Sequence, residues 1–470
     1  MSNFDIIVMG ATPAGIAASI AAARLGNSVV LIEKHTHLGG MTTSGLGKSD
    51  IENKSMIKGL FDEFVQRIHY YYKTNYAPKS TDLKLCHGGY YFEPSVAESI
   101  LDRMVAEQDK ITVLRSHQLD TTLLEGQRAN GIVVLNHKTQ IKKKITGQVV
   151  IDATYEGDIL ASAGARYRIG RESRDDFNEP HAGIIYFDYQ NKKFLPGTTH
   201  ESDTRLPAYT FRLCLTTNPC NAYRLTKAPL NYDRSIYIGY LDDLKSGRLG
   251  GPRAIKPGRG YYPKHFDTLM RSLSVTALPN QKTDVNMNPR PLSFPFAEEN
   301  LDYVDGDTQT REEISNRIRD ITLGLLWFIQ HDKIVPEPHR SITNQYHLPL
   351  DEFTDNQHFP FQLYVREARR LAGLYVFTEN DVTNGSSFED SIAVSNFPID
   401  SFPVRKRQQD DNIVLEGYLG MLEHITRPYQ IPYRIMIPEK VNGLIVPVAA
   451  STTHVAYSSI RMEPTWMALG

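Results

Sequence analysis

The chain has 470 residues, with 52 Lys and Arg against 54 Asp and Glu for a formal net charge of −2, and only three cysteines. A near-neutral balance with interspersed signs gives no field that recruits nucleic acid or an anionic membrane. Cys86, Cys214 and Cys220 form no C-x-x-C pair, which argues against a disulfide framework and against thiol–disulfide redox chemistry.

The opening run Asp5-Ile6-Ile7-Val8-Met9 is the β-branched stretch of a buried parallel strand. Gly10-Ala11-Thr12-Pro13-Ala14-Gly15 then turns into a helix of Ala, Ile and Gly that runs to Leu25. Gly10 permits the tight turn, Pro13 in the first turn costs no intrahelical hydrogen bond, and Gly15 lets helix and strand approach. The free N–H groups and positive dipole end of that helix face the place where a pyrophosphate would lie. Ser28-Val29-Val30-Leu31-Ile32 is the second strand, and Glu33 at its end is placed to accept ribose hydroxyls. Thr12 departs from the G-x-G-x-x-G pattern at the second glycine. His37-Leu38-Gly39-Gly40-Met41-Thr42-Thr43-Ser44-Gly45-Leu46-Gly47 is a glycine and hydroxyl stretch suited to wrapping the phosphates and ribityl chain of a cofactor longer than NAD.

Helical spacing follows at Gly59 to His69 and at Pro94 to Gln108, then short strands at Ile111 to Leu114, Leu119 to Leu124 and Ile132 to Leu135. Lys142-Lys143-Lys144 reads as a solvated turn before the strand Val149-Val150-Ile151-Asp152-Ala153-Thr154. From Arg171 to Asp390 the chain is richer in Pro, Tyr, Asn and Asp, with an alternating strand at Tyr209 to Leu213 and helices expected at Thr310 to His331 and Phe361 to Val376. On the second helix Arg366 and Arg370 fall at i, i+4, which allows an anion-binding pair but favours a solvated or ion-paired face. Gly443 to Val448 is the last strand, and Ser451 to Arg461 follows it with His454 and Arg461. The chain enters its first strand without a signal core, and the apolar run from Ile16 to Leu31 contains Arg24, so no membrane span is expected and a reducing cytoplasm is the expected location. His35 and His37 at i, i+2 lack partners at metal-ligand spacing, and no G-x-S-x-G or P-loop occurs.

The glycine turn, His37-Leu38-Gly39-Gly40-Met41, Tyr155-Glu156-Gly157-Asp158 after the Val149 strand, Ala449-Ala450-Ser451, and Ser459-Ile460-Arg461-Met462-Glu463-Pro464 together resemble the bacterial FAD-dependent oxidoreductase family, within the glutathione-reductase-like two-domain flavoproteins. The resemblance spans most of the chain. It implies an α/β protein: a Rossmann-like FAD-binding domain, a parallel sheet with a β-meander, over residues 1–170 and 391–470, and an inserted α+β substrate domain over 171–390. It implies FAD held by Gly10, Thr12, Pro13, Ala14, Gly15, Glu33 and Lys34, by Gly40, Met41 and Ser44, and by Ala153, Thr154, Gly157, Ser451 and Met462. His454 is then the candidate base for a substrate hydroxyl or amine, Arg461 the candidate source of positive potential at the flavin pyrimidine, and Tyr457 a lesser candidate. Tyr209, Arg212, Tyr364 and Arg366 are candidates for a pocket wall. Some related flavoproteins attach the flavin through a histidine, which makes His37 a candidate, although an ordinary polar contact is the expectation there.

No second G-x-G-x-x-G occurs, so the expected reaction is oxidation of a small organic substrate at CH–OH, CH–NH or CH–CH, with electrons passed to oxygen or another acceptor. An externally reduced monooxygenase or reductase is the alternative enzyme. A non-redox binding protein on a flavoprotein-like fold stays open, because in the resembling family the sequence after Met467-Ala468-Leu469-Gly470 continues as a small-residue helix, and stopping at Gly470 is expected to weaken cofactor retention.

Overall fold

The computed structural model describes residues 2–188, 191–245, 273–287, 294–409 and 412–470. Strand β1 (Ser2–Met9) leads through the glycine turn into α1 (Pro13–Arg24), and β2 (Val29–Ile32) returns beside β1 in parallel. Ten of the twelve α1 residues are buried, which explains their small size: the helix is sandwiched between the sheet and the C-terminal helix Glu463–Leu469. Ile16 and Ile20 are fully buried and contribute about 1.5–3 kcal/mol each. Gly10 has φ +94°, and a Cβ there would lie 2.7 Å from the Ala153 carbonyl oxygen; a Cβ on Gly15 would lie 1.9 Å from the Gly10 carbonyl. Both positions are therefore closed to any other residue. Thr12 takes the second-glycine position because it caps α1: its hydroxyl accepts the Gly15 N–H (3.3 Å) and donates to the Ala153 carbonyl (2.9 Å).

Helices α2 (Gly59–Asn75), α3 (Thr81–Leu85) and α4 (Pro94–Ala106) follow, with Phe61, Phe64, Val65 and Ile68 of α2 and Val96, Ile100 and Met104 of α4 in the core beside α1. Strand β3 (Ile111–Leu114) pairs in parallel with β2, and β4 (His117–Glu125), β5 (Arg128–Asn136) and β6 (Lys142–Asp152) form an antiparallel meander. The sheet order is β3-β2-β1-β6-β5-β4. β6 uses one edge for β1; on the other, residues 142–146 pair β5 and residues 150–151 pair the short strand Leu444–Ile445 in parallel. The chain thus returns to the sheet beside the Gly10 turn, as a Rossmann-like FAD domain requires. Lys142, Lys143 and Lys144 are not a turn: they open β6, opposite Leu135, Val134 and Val133, and the Lys142 ammonium pairs with Asp120 at 2.8 Å. Helix α5 (Asp158–Ser162) follows β6.

Beyond α5 lies a three-stranded antiparallel sheet in the order Leu213–Thr216, Lys282–Met287, Leu273–Ala277. The expected strand at Tyr209 to Leu213 begins only at Leu213, while Thr210 forms an isolated bridge to Tyr364. The long helix Thr308–His331 buries Ile314, Ile318, Ile321, Leu325 and Phe328, the expected face. The helix expected from Phe361 to Val376 does not form. That segment is extended: Tyr364 N–H bonds the Thr210 carbonyl, Leu371 N–H the Ala449 carbonyl, and Arg370–Leu371 pairs with Tyr167–Arg168. Residues 362–372 are buried on every side, including Arg366, Glu367, Arg369 and Arg370, which a one-sided helix cannot achieve. Arg366 and Arg370 consequently share no helix face. No helix among the described residues is long and apolar enough to cross a membrane.

Candidate functional site

At the mouth of the glycine turn the Glu33 carboxylate accepts the Ala11 N–H (2.7 Å) through one oxygen and the His35 N–H (3.0 Å) through the other. Each oxygen retains a lone pair, and burial pushes the Glu33 carboxyl upward. Pro13 has no N–H, Gly15 N–H is taken by Thr12, and the Ala14 N–H donates to no described residue. An unpaired donor at a helix N-terminus is the local requirement for an anionic oxygen.

Beside Glu33, at the C-terminal ends of β2 and β3, lies a cleft of about 750 Å³, within the range of ligand pockets. Lys34, His35 and Thr36 line one side and Asp158, Tyr303 and Phe361 another. Burial pushes His35 down to about 3, so its ring is neutral, and it sits 5.3 Å from the Phe361 ring. Lys34 crosses to Glu156 at 2.9 Å, and the Tyr303 hydroxyl donates to the same carboxylate at 3.0 Å. Burial would raise the Glu156 carboxyl, but Lys34 and Arg311 outweigh it and hold the group below its ordinary value. Arg311 in turn pairs with Asp158 through both terminal nitrogens, each at 2.8 Å. Of the cofactor candidates only Lys34 lines this cleft; Glu33 and the start of α1 lie buried outside its lining.

The remaining cofactor candidates are buried beyond this cleft, each in a defined contact. Thr154 donates to Asp152 (2.6 Å) and accepts the Gly157 and Asp158 N–H groups, and burial pushes Asp152 up to about 6. Ser44 accepts the Gln362 N–H (2.9 Å), Ser451 the Gly373 N–H (3.0 Å), and Met462 precedes the Glu463–Leu469 helix. The Met41 N–H donates to the Tyr155 hydroxyl (3.0 Å), which donates to Glu463 (2.7 Å). Gly40 lies directly beneath that hydroxyl, 2.4 Å from where its Cβ would be. Tyr155 therefore takes a loop N–H that the sequence pattern assigns to the cofactor. Burial pushes Glu463 up to about 8.

His454 opens the helix His454–Ile460, capped by the Thr453 hydroxyl. Its N–H donates to Glu172 (2.8 Å) and its Nδ1 lies 2.7 Å from Glu367. Arg370 closes the ring, with Nε 2.8 Å from Glu367 and Nη1 2.8 Å from Glu172. Glu367 and Glu172 escaped the sequence reading; Glu367 stands 87 residues from His454, and no local pattern marks the pair. Beside them Glu179 takes the Thr453 hydroxyl (2.6 Å), and burial pushes its carboxyl up to about 8.

Arg461 sits at the other end of the seven-residue helix, about 10 Å along the axis from His454, so the two catalytic candidates are not adjacent. Arg461 donates to the Tyr364 hydroxyl (2.8 Å) and the Asp400 carbonyl (3.0 Å). Tyr457 is buried with its hydroxyl near the Val448 carbonyl (3.4 Å). Among the pocket-wall candidates, Tyr209 donates to the Glu367 carbonyl (2.6 Å) and Arg212 forms a two-bond pair with Asp284 (2.6 and 2.9 Å). His37 has both ring nitrogens on carboxylates, Glu98 at 2.8 Å and Asp355 at 3.0 Å, which hold the imidazole protonated beyond its ordinary range. With both ring nitrogens engaged by carboxylates, neither is free to attack a flavin.

A family model described as FAD dependent oxidoreductase matches residues 5–470. No curated protein sequence matches. Among solved structures, the chain is similar to that of Thermovibrio ammonificans THI4, with 21% identity over 36% of this chain and 67% of that one and a TM-score of 0.27. It is also similar to the myxobacterial chondrochloren halogenase CndH, with 14% identity over 68% of this chain and 60% of that one and a TM-score of 0.33. A geranylgeranyl bacteriochlorophyll reductase-like protein from Thermoplasma acidophilum gives 18% identity over 35% and 43% of the two chains and a TM-score of 0.26. The chain spans less than two thirds of the halogenase and of the reductase-like protein.

Proposed function

Since the chain belongs to the FAD dependent oxidoreductase family, and FAD is accordingly its cofactor, we propose that it removes a hydride from a small organic substrate at CH–OH, CH–NH or CH–CH and passes the electrons to oxygen or another acceptor. Bound FAD supplies the two-electron acceptor for that chemistry. In this reading Glu33 accepts the ribose hydroxyls, the Ala14 N–H and the α1 dipole meet the diphosphate, and Lys34, His35 and Phe361 border the adenosine. Residues 1–170 and 391–470 carry the cofactor, and residues 171–390 cover it and shape the substrate pocket.

The observation that carries the reaction class is the His454–Glu367 contact. With Nδ1–H directed to Glu367, the base form of the imidazole carries its lone pair on Nε2, where it accepts a proton from a substrate hydroxyl or amine as the hydride departs. Glu367 then stabilises the imidazolium that results, and Arg370 and Glu172 fix the carboxylate and the helix start on which the ring depends.

The test is anaerobic bleaching of the flavin by a panel of small alcohols, sugars, amines and acids. At least one class bleaches the wild type, and His454→Ala slows that bleaching roughly 10²–10⁴-fold with flavin content unchanged. Bleaching by NAD(P)H alone would instead assign the chain to the externally reduced enzymes.

A further inference from the structure

Arg366 is among the largest fully buried side chains of the protein, and it has no carboxylate partner among the described residues. Its Nη1 donates to the Ala208 carbonyl (2.7 Å) and to the Thr210 hydroxyl (2.9 Å), and its Nη2 is buried without any acceptor. The guanidinium carbon lies over two aromatic rings, 4.3 Å from the Tyr364 centroid and 3.8 Å from that of Phe402. Burial pushes its pKa down to about 9, the response of a cation in want of a counter-charge.

Its surroundings sharpen the imbalance. Three buried guanidinium groups act on one another here: Arg212, Arg366 and Arg461. Arg212 is neutralised by Asp284. Arg461 has Asp400, 3.7 Å away, whose carboxyl burial pushes up to about 6. Asp50 acts on Arg212 and Arg461, and Asp400 acts on Arg366 from beyond ion-pair distance, so Arg366 is the one of the three without a carboxylate in contact. Burying an unpaired cation is costly enough that folded proteins supply a partner. The cluster also abuts the glycine stretch expected to wrap the cofactor, for a Cβ on Gly45 would overlap the Arg212 carbonyl.

We propose that Arg366, with Arg461 and Tyr364 beside it, is the subsite for a carboxylate carried by the substrate. This rests on the reading of the chain as an FAD-dependent oxidoreductase, since it places the anion next to the cofactor loop. A monoanion suits this single buried guanidinium better than a phosphate dianion, which would bring more charge into the interior than one cation neutralises. Arg461 adds positive potential beside the Tyr364 ring, 5.8 Å from its centroid and bonded to its hydroxyl. A carboxylate at Nη2 would satisfy the orphaned N–H and give Arg366 the contact ion pair it lacks in one step. The substrate class that follows is a hydroxy acid, an amino acid or an unsaturated or saturated carboxylic acid.

The holoprotein is titrated with acetate and propionate, with acetamide and propionamide as neutral isosteres and inorganic phosphate as the tetrahedral control, reading both the flavin absorbance and the melting temperature. The carboxylates produce a saturable change in both signals and the amides do not. Arg366→Met lowers the carboxylate affinity tenfold or more at unchanged flavin content, while Arg366→Lys keeps part of it. Equal responses to acetate and acetamide, or a carboxylate affinity unaltered in Arg366→Met, overturn the proposal. If Arg366→Met does not fold, the acid–amide comparison on the wild type and on Arg366→Lys decides. A response to phosphate alone replaces the carboxylate with a phosphorylated substrate and is also a refutation. A protein that takes up no FAD defeats the functional reading, whereas its melting temperature still reports whether Arg366 binds the carboxylate.

Discussion

Glu33 performs two tasks that one substitution separates. Its carboxylate satisfies the buried Ala11 N–H at 2.7 Å and the His35 N–H at 3.0 Å, and in the functional reading its remaining lone pairs meet the ribose. Glu33→Ala leaves a fully buried donor at Ala11 without an acceptor, which costs the fold about 1–3 kcal/mol. It also removes a hydrogen bond from a charged group to the cofactor, worth about 1.5–3 kcal/mol, or roughly 10- to 150-fold in FAD affinity. The two losses are read independently: the first from denaturant unfolding of the FAD-free protein, the second from quenching of FAD fluorescence during reconstitution. Glu33→Gln keeps one oxygen and is expected to fall between wild type and Ala in both assays. A fall in stability with FAD affinity within about twofold of wild type would assign Glu33 to holding the glycine turn and refute its contact with the ribose.

Glu367→Gln leaves His454 in place but removes the charge opposite its imidazolium; the rate of flavin reduction is expected to fall and its pH profile to move, and a profile identical to wild type would deny Glu367 a positioning role. Glu179 and Glu463, pushed to about 8 against an ordinary 4.5, bind protons in the folded chain that the unfolded chain has released. Stability is therefore highest below about pH 4.5 as far as these two groups are concerned, and declines as pH rises to 8. Glu463→Gln, which mimics the neutral acid and keeps the Tyr155 contact, should lessen that decline in melting temperature; an unchanged slope would show that Glu463 is ionised at neutral pH. His37, clamped between Glu98 and Asp355, leaves the flavin unattached, so acid precipitation of the holoprotein should leave all the yellow colour in the supernatant; colour in the pellet would contradict this.

Much of the cofactor half was legible because its signals are local. A β-branched strand, a helix of small residues and an acid at the next strand end all fall within Asp5 to Glu33, and the geometry that forces Gly10 and Gly15 is decided by immediate neighbours. The Thr12 departure is local as well, a cap that replaces a glycine. The segment from Phe361 to Val376 misled because Arg366-Glu367-Ala368-Arg369-Arg370 has strong helix formers at helical spacing. Its actual conformation is set by partners far away in the chain: Arg370 by Glu172, Arg369 by Asp158 and Asp305, Tyr364 by Thr210. Burial of charges by distant pairing overrides local propensity, and a single sequence carries no trace of it. The same reason hid Glu367 behind His454 and Tyr155 behind Met41: each contact joins segments that only the finished fold brings together.

The central claim, that a dinucleotide is held by its adenosine and diphosphate at the amino end of α1, is tested most directly by competition during FAD reconstitution of the purified protein. ADP should displace FAD and riboflavin should not, because the grip lies on the nucleotide end. Displacement by riboflavin with no effect of ADP, or no uptake of FAD at all, would contradict it.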